Sequence, residues 1–344
     1  MRSGERPVRR RLVSRSGRAV ALATAAVTLT AGSARAADEQ PAPAGVHAAQ
    51  RVVMGTVFRI LVHEPTIAPA RTRAVLDAAL DEVTRLDRVL SHYDAESEAS
   101  RLVRMPVDVA VPVSRDLYDA LDRSLEMARL TDGRFDVTVG PLVEVWRTAA
   151  EDQDVPTPEA LAEARRCVGS DKLTLVPPDR VRLASSCLRL DFGAIGKGIA
   201  VDRAMDVLRA HGITSASVNA GGSTILAVGQ APGQDGWPVR AAGADAPLML
   251  HDEALSTSGS TMELIAVGAG EPESNRVTVS VRAADAATAD ALSTALLLSP
   301  VSQGREILRH VGRASAWWTG PDGVVTAVAG PAPDAMAFYR GATR

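Results

Sequence analysis

Strand-like alternation and helix-like periodicity follow one another along this chain in irregular order, and that order constrains its fold more than any other feature. Val52 to Val62 alternates as a strand does, with Phe58, Ile60 and Val62 on one face. Arg71 to Leu90 is the clearest helix, because Leu76, Leu80, Val83, Leu86 and Leu90 recur every three or four residues with Asp81, Glu82 and Arg85 between them. A loop is expected over Ser91 to Ser100 and a second helix around Leu117 to Leu130. Thr157-Pro158-Glu159 opens a shorter helix, with Thr as N-cap and Pro in the first turn. Leu188 to Phe192 reads as a strand running into glycines, and Ile199 to Ala210 as the helix leaving them. Ser217 to Asn219 ends another strand at Ala220-Gly221-Gly222, Arg276 to Arg282 is a further strand, and Ala286 to Leu298 is an alanine-rich helix. A doubly wound sheet needs regular alternation of strand and helix, so α+β is the expected class. Aromatic residues make up only 3% of the chain, which leaves the core to aliphatic side chains.

Met1 to Ala36 reads as an export signal. Arg2, Arg6, Arg9, Arg10, Arg11, Arg15 and Arg18 precede an apolar run, Ala19 to Ala31, and Ala34-Arg35-Ala36 supplies a small-x-small cleavage site. The run is 13 residues, too short to span roughly 30 Å of hydrocarbon. Arg9-Arg10-Arg11-Leu12-Val13 resembles a twin-arginine signal and equally suits the general export route. No Cys follows the cleavage site, so a lipoprotein anchor is not expected, nor is a membrane span in the mature chain. Removing this segment takes away eight Arg and Glu5, so the formal charge of −3 becomes 30 basic against 40 acidic residues, or −10. An acidic exported protein is not expected to bind nucleic acid, which calls for a basic surplus. The periplasm or another extracytoplasmic space is the expected location. Ala37 to Gln50 is Pro/Ala-rich and reads as a flexible lead-in; residues 51–335 then form one large domain or two packed lobes.

The two cysteines, Cys167 and Cys187, flank Lys172 to Val176, Pro177-Pro178-Asp179 and Val181 to Leu183, a strand-turn-strand pattern. In an oxidising compartment such a pair forms either a disulfide or two buried free thiols.

Two stretches carry the chemistry. Asp191-Phe192-Gly193-Ala194-Ile195-Gly196-Lys197-Gly198 lies between a strand and a helix. Its glycines let backbone approach a ligand, and the helix beyond offers free N–H groups to an anion. A turn that merely packs a helix on a sheet looks the same. The lysine count tilts the balance toward a ligand turn, because Lys172 and Lys197 are the only lysines among 38 basic residues, and a compact ammonium differs chemically from a guanidinium. The spacing is not that of a Walker loop. In Ala289-Asp290-Ala291-Leu292-Ser293-Thr294-Ala295, Asp290 and Thr294 fall at i and i+4, so a carboxylate and a hydroxyl share one helix face. Oxygen donors of this kind suit Mg²⁺; a Thr bonded back to its own helix is the alternative. Ser91 to Glu98 is a polar loop whose Tyr93 suits stacking or capping, and Gly133 to Pro141 brings Asp136 and Thr138 into one turn. None of the six histidines pairs at metal-ligand spacing.

In order, Met54-Gly55-Thr56, Leu90-Ser91-x-Tyr93, Ser97-Glu98-x-Ser100-Arg101-Leu102, Phe135 to Val143, Asp191-x-Gly193-x-Ile195-x-Lys197-Gly198, Asn219-Ala220-Gly221-Gly222, Thr257-Ser258-Gly259 and Ala289-Asp290-Ala291-Leu292-x-Thr294-Ala295 resemble the ApbE family of FAD:protein FMN transferases. The resemblance implies a T-fold-like α+β architecture with FAD between two packed lobes. It implies that Met54, Tyr93, Phe135, Asp136, Val137, Asp191 and Lys197 contact FAD. By the same resemblance the Ala194 carbonyl, Asp290 and Thr294 hold Mg²⁺ at the pyrophosphate. The implied reaction is attack by a Ser or Thr hydroxyl of an exported or membrane-bound flavoprotein on the FMN-side phosphorus, with AMP leaving. The chain departs from the family pattern in one stretch above all. Ser260 to Arg276 lacks the usual His-x-x-Asp-Pro-x-Thr-Gly, so no catalytic base is assigned. A non-catalytic FAD-binding relative and a FAD pyrophosphatase stand as alternatives.

Overall fold

Alternating apolar residues build an antiparallel sheet of eight strands in the computed structural model, which describes residues 45–152, 154–241, 246–259, 278–320, 322 and 324–330. The export signal, the first part of the lead-in and the stretch from Ser260 to Arg276 lie outside the described residues.

Strand β1 (His47–Val53) turns at Met54-Gly55 into β2 (Thr56–Val62). Both turn residues have positive φ, 53° and 71°, the backbone that a two-residue hairpin requires. The lead-in expected up to Gln50 is therefore shorter, because His47 to Gln50 already pair with β2 (Ala49 opposite Ile60, Gln50 opposite Arg59). Only Ala49 and Val53 of this edge strand are buried, so its sequence shows little alternation. Helix α1 (Pro69–Leu90) buries the expected stripe, including Leu76, Leu80, Val83, Leu86 and Leu90. Each such Leu or Val contributes about 1.5–3 kcal/mol by leaving water.

Helix α2 (Glu98–Leu102) begins inside the expected loop, capped by Ser97, whose hydroxyl accepts from Ser100 N. Glu98 then bonds the backbone and hydroxyl of Ser114 (2.6 Å each), which itself caps α3 (Arg115–Leu130) after the short strand β3 (Val111–Pro112). Helices α4 (Gly140–Glu151) and α5 (Pro158–Cys167) follow, the latter with Thr157 as N-cap as expected. Strands β4 (Leu173–Val176) and β5 (Arg180–Leu183) form a hairpin that pairs with β3 in a separate three-stranded sheet. Cys167 and Cys187 are joined across this hairpin, with Cα atoms 5.3 Å apart.

The strand expected at Leu188 to Phe192 is instead an extended segment. It makes one parallel bridge, Arg189 to Val139, and Asp191 N–H donates to Val137 C=O (2.7 Å). It leaves the ladder because Gly193 N–H turns back to the Asp191 carboxylate (2.7 Å). Helix α6 (Gly196–Ala210) then leads to β6 (Ala216–Ala220), β7 (Thr224–Val228), the pair β8 (Trp237–Val239) and β9 (Leu248–Leu250), β10 (Glu253–Gly259) and β11 (Thr278–Ala283). Helices α7 (Ala286–Leu297) and α8 (Val301–Val311) precede β12 (Ser315–Thr319) and β13 (Val325–Ala329). The large sheet runs β1-β2-β6-β7-β10-β11-β12-β13.

All twelve residues of α7 are buried. A helix buried all round must be apolar and small on every face, which is why it is alanine-rich. The sheet has two faces, and consecutive strand residues serve both. Trp318 joins the main core with the helices, whereas Trp317 joins a second cluster with Ile225, Trp237, Leu250 and Leu255 beneath β8 and β9.

The disulfide closes a loop of 20 residues. Replacing both cysteines by Ser is expected to lower unfolding stability by about 3 kcal/mol through the freed unfolded chain. Denaturant titration of the variant against the oxidised chain measures this, and equal midpoints would refute it.

Candidate functional site

Three backbone turns and one helix face meet at the start of α6. The first turn is Met54-Gly55. Met54 keeps its left-handed backbone, unusual for a residue with a Cβ, and its N–H donates to Asp87 (3.3 Å). The second is Asn219 to Gly222, closed by Gly222 N–H on the Asn219 side chain (2.7 Å). Gly221 has φ +60°, and a Cβ there would collide with the Thr56 hydroxyl, so these two short motifs pack directly on each other. The third is Asp191 to Lys197. A Cβ on Gly196 would stand 3.8 Å from the Met54 methyl carbon, which places Met54 beside the glycine-rich turn.

Lys197 reaches back over this turn. Its ammonium donates to Gly193 C=O (3.3 Å) and stands 4.0 Å from Asp290 Oδ1. Asp290, on α7, is only 3% exposed, and a buried carboxylate requires donors. It has three: Gly198 N–H (3.0 Å), the Thr224 hydroxyl (3.0 Å) and the Ser256 hydroxyl (3.2 Å). Thr294 lies one turn further along the same face, its hydroxyl 3.1 Å from that of Ser258. Gly198 N–H belongs to the first turn of α6, where amides have no partner within the helix, and Asp290 satisfies it from α7. Ala194 lies in the turn that Lys197 bridges, while Asp290 and Thr294 lie on α7; a carbonyl, a carboxylate and a hydroxyl are donor types that suit a hard divalent cation.

A cavity of about 310 Å³ opens beside this turn, lined by His92, Tyr93, Val143, Arg147, Arg189 and Asp191 among others. Tyr93 is 76% exposed, as stacking on a planar ring demands. The Arg147 guanidinium lies 5.6 Å over its ring and the His92 ring 3.9 Å beside it. Asp191 connects cavity and turn, with one oxygen on Gly193 N–H and 3.6 Å from His92 Nδ1.

Phe135 and Val137 are buried in the core (3% and 0% exposed). They support the site from behind, since the Val137 carbonyl holds Asp191. Asp136 accepts from Thr138 N–H and hydroxyl (2.8 and 2.7 Å) and from Ser170 N–H (3.0 Å), so both its oxygens are engaged in the loop. His92, Arg147, Thr224 and Ser256 were not singled out by residue pattern. His92 hides in the variable position of Leu90-Ser91-x-Tyr93, and Ser256 one residue before Thr257-Ser258-Gly259. Strand alternation puts Ser256 and Ser258 on the face toward α7 and turns Thr257 away to Ser280 (2.8 Å).

The ApbE family model matches residues 54–318, which contain every one of these groups. The chain belongs to the ApbE family. Among ApbE relatives, the FAD:protein FMN transferase of Escherichia coli strain K12 is 28% identical over 308 residues, covering 80% of this chain and 86% of that protein. That of Vibrio cholerae serotype O1 is 30% identical over 280 residues, covering 74% and 81%. The flavin transferase ApbE structure from Vibrio cholerae superposes with a TM-score of 0.70 at 27% identity over 81% of this chain and 94% of that one. The ApbE protein of Thermotoga maritima superposes at 0.72 with 26% identity over 86% and 99%. The α+β class expected from the irregular strand order is thereby the ApbE fold.

The glycine at position 198 is required by space. A Cβ there would lie 2.6 Å from Ala287 Cα and from the Ala286 carbonyl carbon, neither of which can rotate away. Gly198→Ala is expected to cost about 1–3 kcal/mol by forcing α6 from α7. A thermal melt unchanged by the substitution would rule this contact out.

Proposed function

We propose that the chain is an exported, Mg²⁺-dependent FAD:protein FMN transferase. The observation that carries this reading is the juxtaposition of a cationic turn and a helix face of oxygen donors: Lys197, in the turn that also holds Ala194, stands 4.0 Å from Asp290, with Thr294 one helical turn beyond. A pyrophosphate is the ligand that needs both at once. FAD adds two planar rings, and the exposed Tyr93 beside Arg147 offers them a stacking surface.

The chain's own residues do the positioning. Lys197 and the positive end of the α6 dipole face the pyrophosphate charge, while Asp191 and Met54 border the flavin side of the turn. Ala194, Asp290 and Thr294 would hold magnesium, which when bound neutralises charge developing on the phosphoryl oxygens. A Ser or Thr hydroxyl of the exported acceptor flavoprotein forms a new bond to the FMN-side phosphorus, its proton is released, and the bridging P–O bond breaks to free AMP. A second reading, FAD hydrolysis or FAD binding without chemistry, draws on the sequence of Ser260 to Arg276, which holds no histidine.

One incubation separates these readings. With FAD, Mg²⁺ and an acceptor peptide bearing a Ser or Thr, mass spectrometry is expected to find AMP and a peptide heavier by FMN. AMP without a modified peptide would point to hydrolysis, and bound FAD without AMP to a binding protein. Asp290→Ala is expected to abolish the Mg²⁺ requirement together with most activity, and a variant as active and as Mg²⁺-dependent as the natural chain would refute the cation assignment. Export predicts a mature chain beginning at Ala37, which the intact mass of protein from the extracytoplasmic fraction tests directly. Among the described residues no helix is long and apolar enough to cross a membrane.

A further inference from the structure

Helices α6 and α7 cap each other. Asp290 on α7 accepts Gly198 N–H in the first turn of α6. In return Asp202 on α6 accepts Ala286 N–H (2.8 Å) and Ala287 N–H (2.9 Å) in the first turn of α7. That helix already has a local cap, Asp285, which accepts Thr288 N–H (2.8 Å). A local cap satisfies its own helix and says nothing about a neighbour. A carboxylate reaching from another helix fixes the two relative to one another. Lys197 stands five residues before Asp202 on α6, and Asp290 stands four residues after Ala286 on α7.

We propose that Asp202 is a positioning residue for the cation site: by clamping the first turn of α7 to α6, it sets the separation between the Ala194–Lys197 turn and the Asp290–Thr294 face. This rests on the flavin-transfer reading, in which one cation must reach oxygens from the turn before α6 and from α7. Residues that orient metal ligands without touching the metal typically change its affinity by about 10- to 100-fold.

The clamp is tunable by pH. Burial pushes the Asp202 carboxyl up to about 7, and the like charges of Asp285 and Asp206 push the same way against the two amides. The surrounding groove is charged on every side. From α3 come Asp116, Asp119 and Arg123, with Arg123 donating to both Asp285 oxygens (3.0 Å each). On α6, Arg203 stands 3.5 Å from Asp116 and 3.4 Å from Asp119, and Arg209 lies further along. Arg85 of α1 holds the other side of Asp116 (2.6 Å). Ionised, Asp202 accepts both amides; protonated, one oxygen becomes a donor and the clamp loses a bond. Raising the pH through 7 therefore completes the clamp. Stability moves the other way: the folded chain keeps a proton that the unfolded chain releases near 4, so this group's contribution falls as pH rises from about 4 to 7. Opposed trends in stability and cation affinity distinguish positioning from simple support.

Calorimetric titration of Mg²⁺ into the full chain with FAD, at pH 6, 7 and 8, tests this on the natural chain, Asp202→Asn and Asp285→Asn. The natural chain is expected to bind Mg²⁺ more tightly as pH rises. Asp202→Asn, folded by circular dichroism, is expected to bind about tenfold more weakly or worse and without that rise. Asp285→Asn keeps a capping side chain, removes a like charge, and is expected to move the rise to lower pH. Natural affinity with the natural pH dependence in Asp202→Asn would overturn the positioning role and leave the flavin-transfer reading standing. Failure of the natural chain to take up FAD and Mg²⁺ would overturn both. Should Asp202→Asn not fold, an unshifted rise in Asp285→Asn overturns the role by itself.

Discussion

The site depends on one close contact, the backbone approach of helices α6 and α7 at Gly198. Without a Cβ at that position, the first turn of α6 comes near enough for Asp290 to take an amide that has no partner within its own helix. One hydrogen bond thereby serves both a buried carboxylate and a first-turn amide. Burial of Asp290 is tolerable because Thr224 and Ser256 supply its remaining donors. Both hydroxyls come from neighbouring strands of the large sheet, so the register of β7 and β10 is part of the site as much as the helices are.

The electrostatics follow from the same arrangement. The chain carries a net negative charge, yet the turn before α6 concentrates positive potential from one of the chain's two lysines and the end of a helix dipole. The carboxylates nearest this turn, Asp191 and Asp290, are each tied to backbone amides, so they shape the turn while facing an anion. Asp191 also reaches His92 in the neighbouring cavity, which connects the exposed Tyr93 to the glycine-rich turn.

Much of this was legible from residue order. The helix at Arg71 to Leu90 follows from its leucine spacing because a solvent-facing helix must confine its apolar side chains to one stripe. Lys197 stood out by rarity, and Asp290 with Thr294 by helical spacing. Other features were hidden for physical reasons. Strand β1 lies at a sheet edge and is held by backbone pairing, so Ala48, Ala49 and Gln50 carried no alternation. The segment from Leu188 to Phe192 has a strand's composition, but its ladder ends where Asp191 captures Gly193. The resemblance implies FAD contact at Phe135 to Val137; two of these three side chains turn into the core and the third is held in its own loop.

The sequence by itself determined the α+β class, the glycine positions, the helix cap at Thr157, and the residue types able to hold a pyrophosphate and a hard cation. These are local properties, decided by periodicity, by backbone freedom and by the chemistry of single side chains. Only the tertiary structure decided that Cys167 meets Cys187, that His92 meets Asp191, and that Asp202 and Asp290 each cap the other's helix. Those pairings join residues 20 to 99 positions apart, and such distances close only when the burial of α7 brings its neighbours around it.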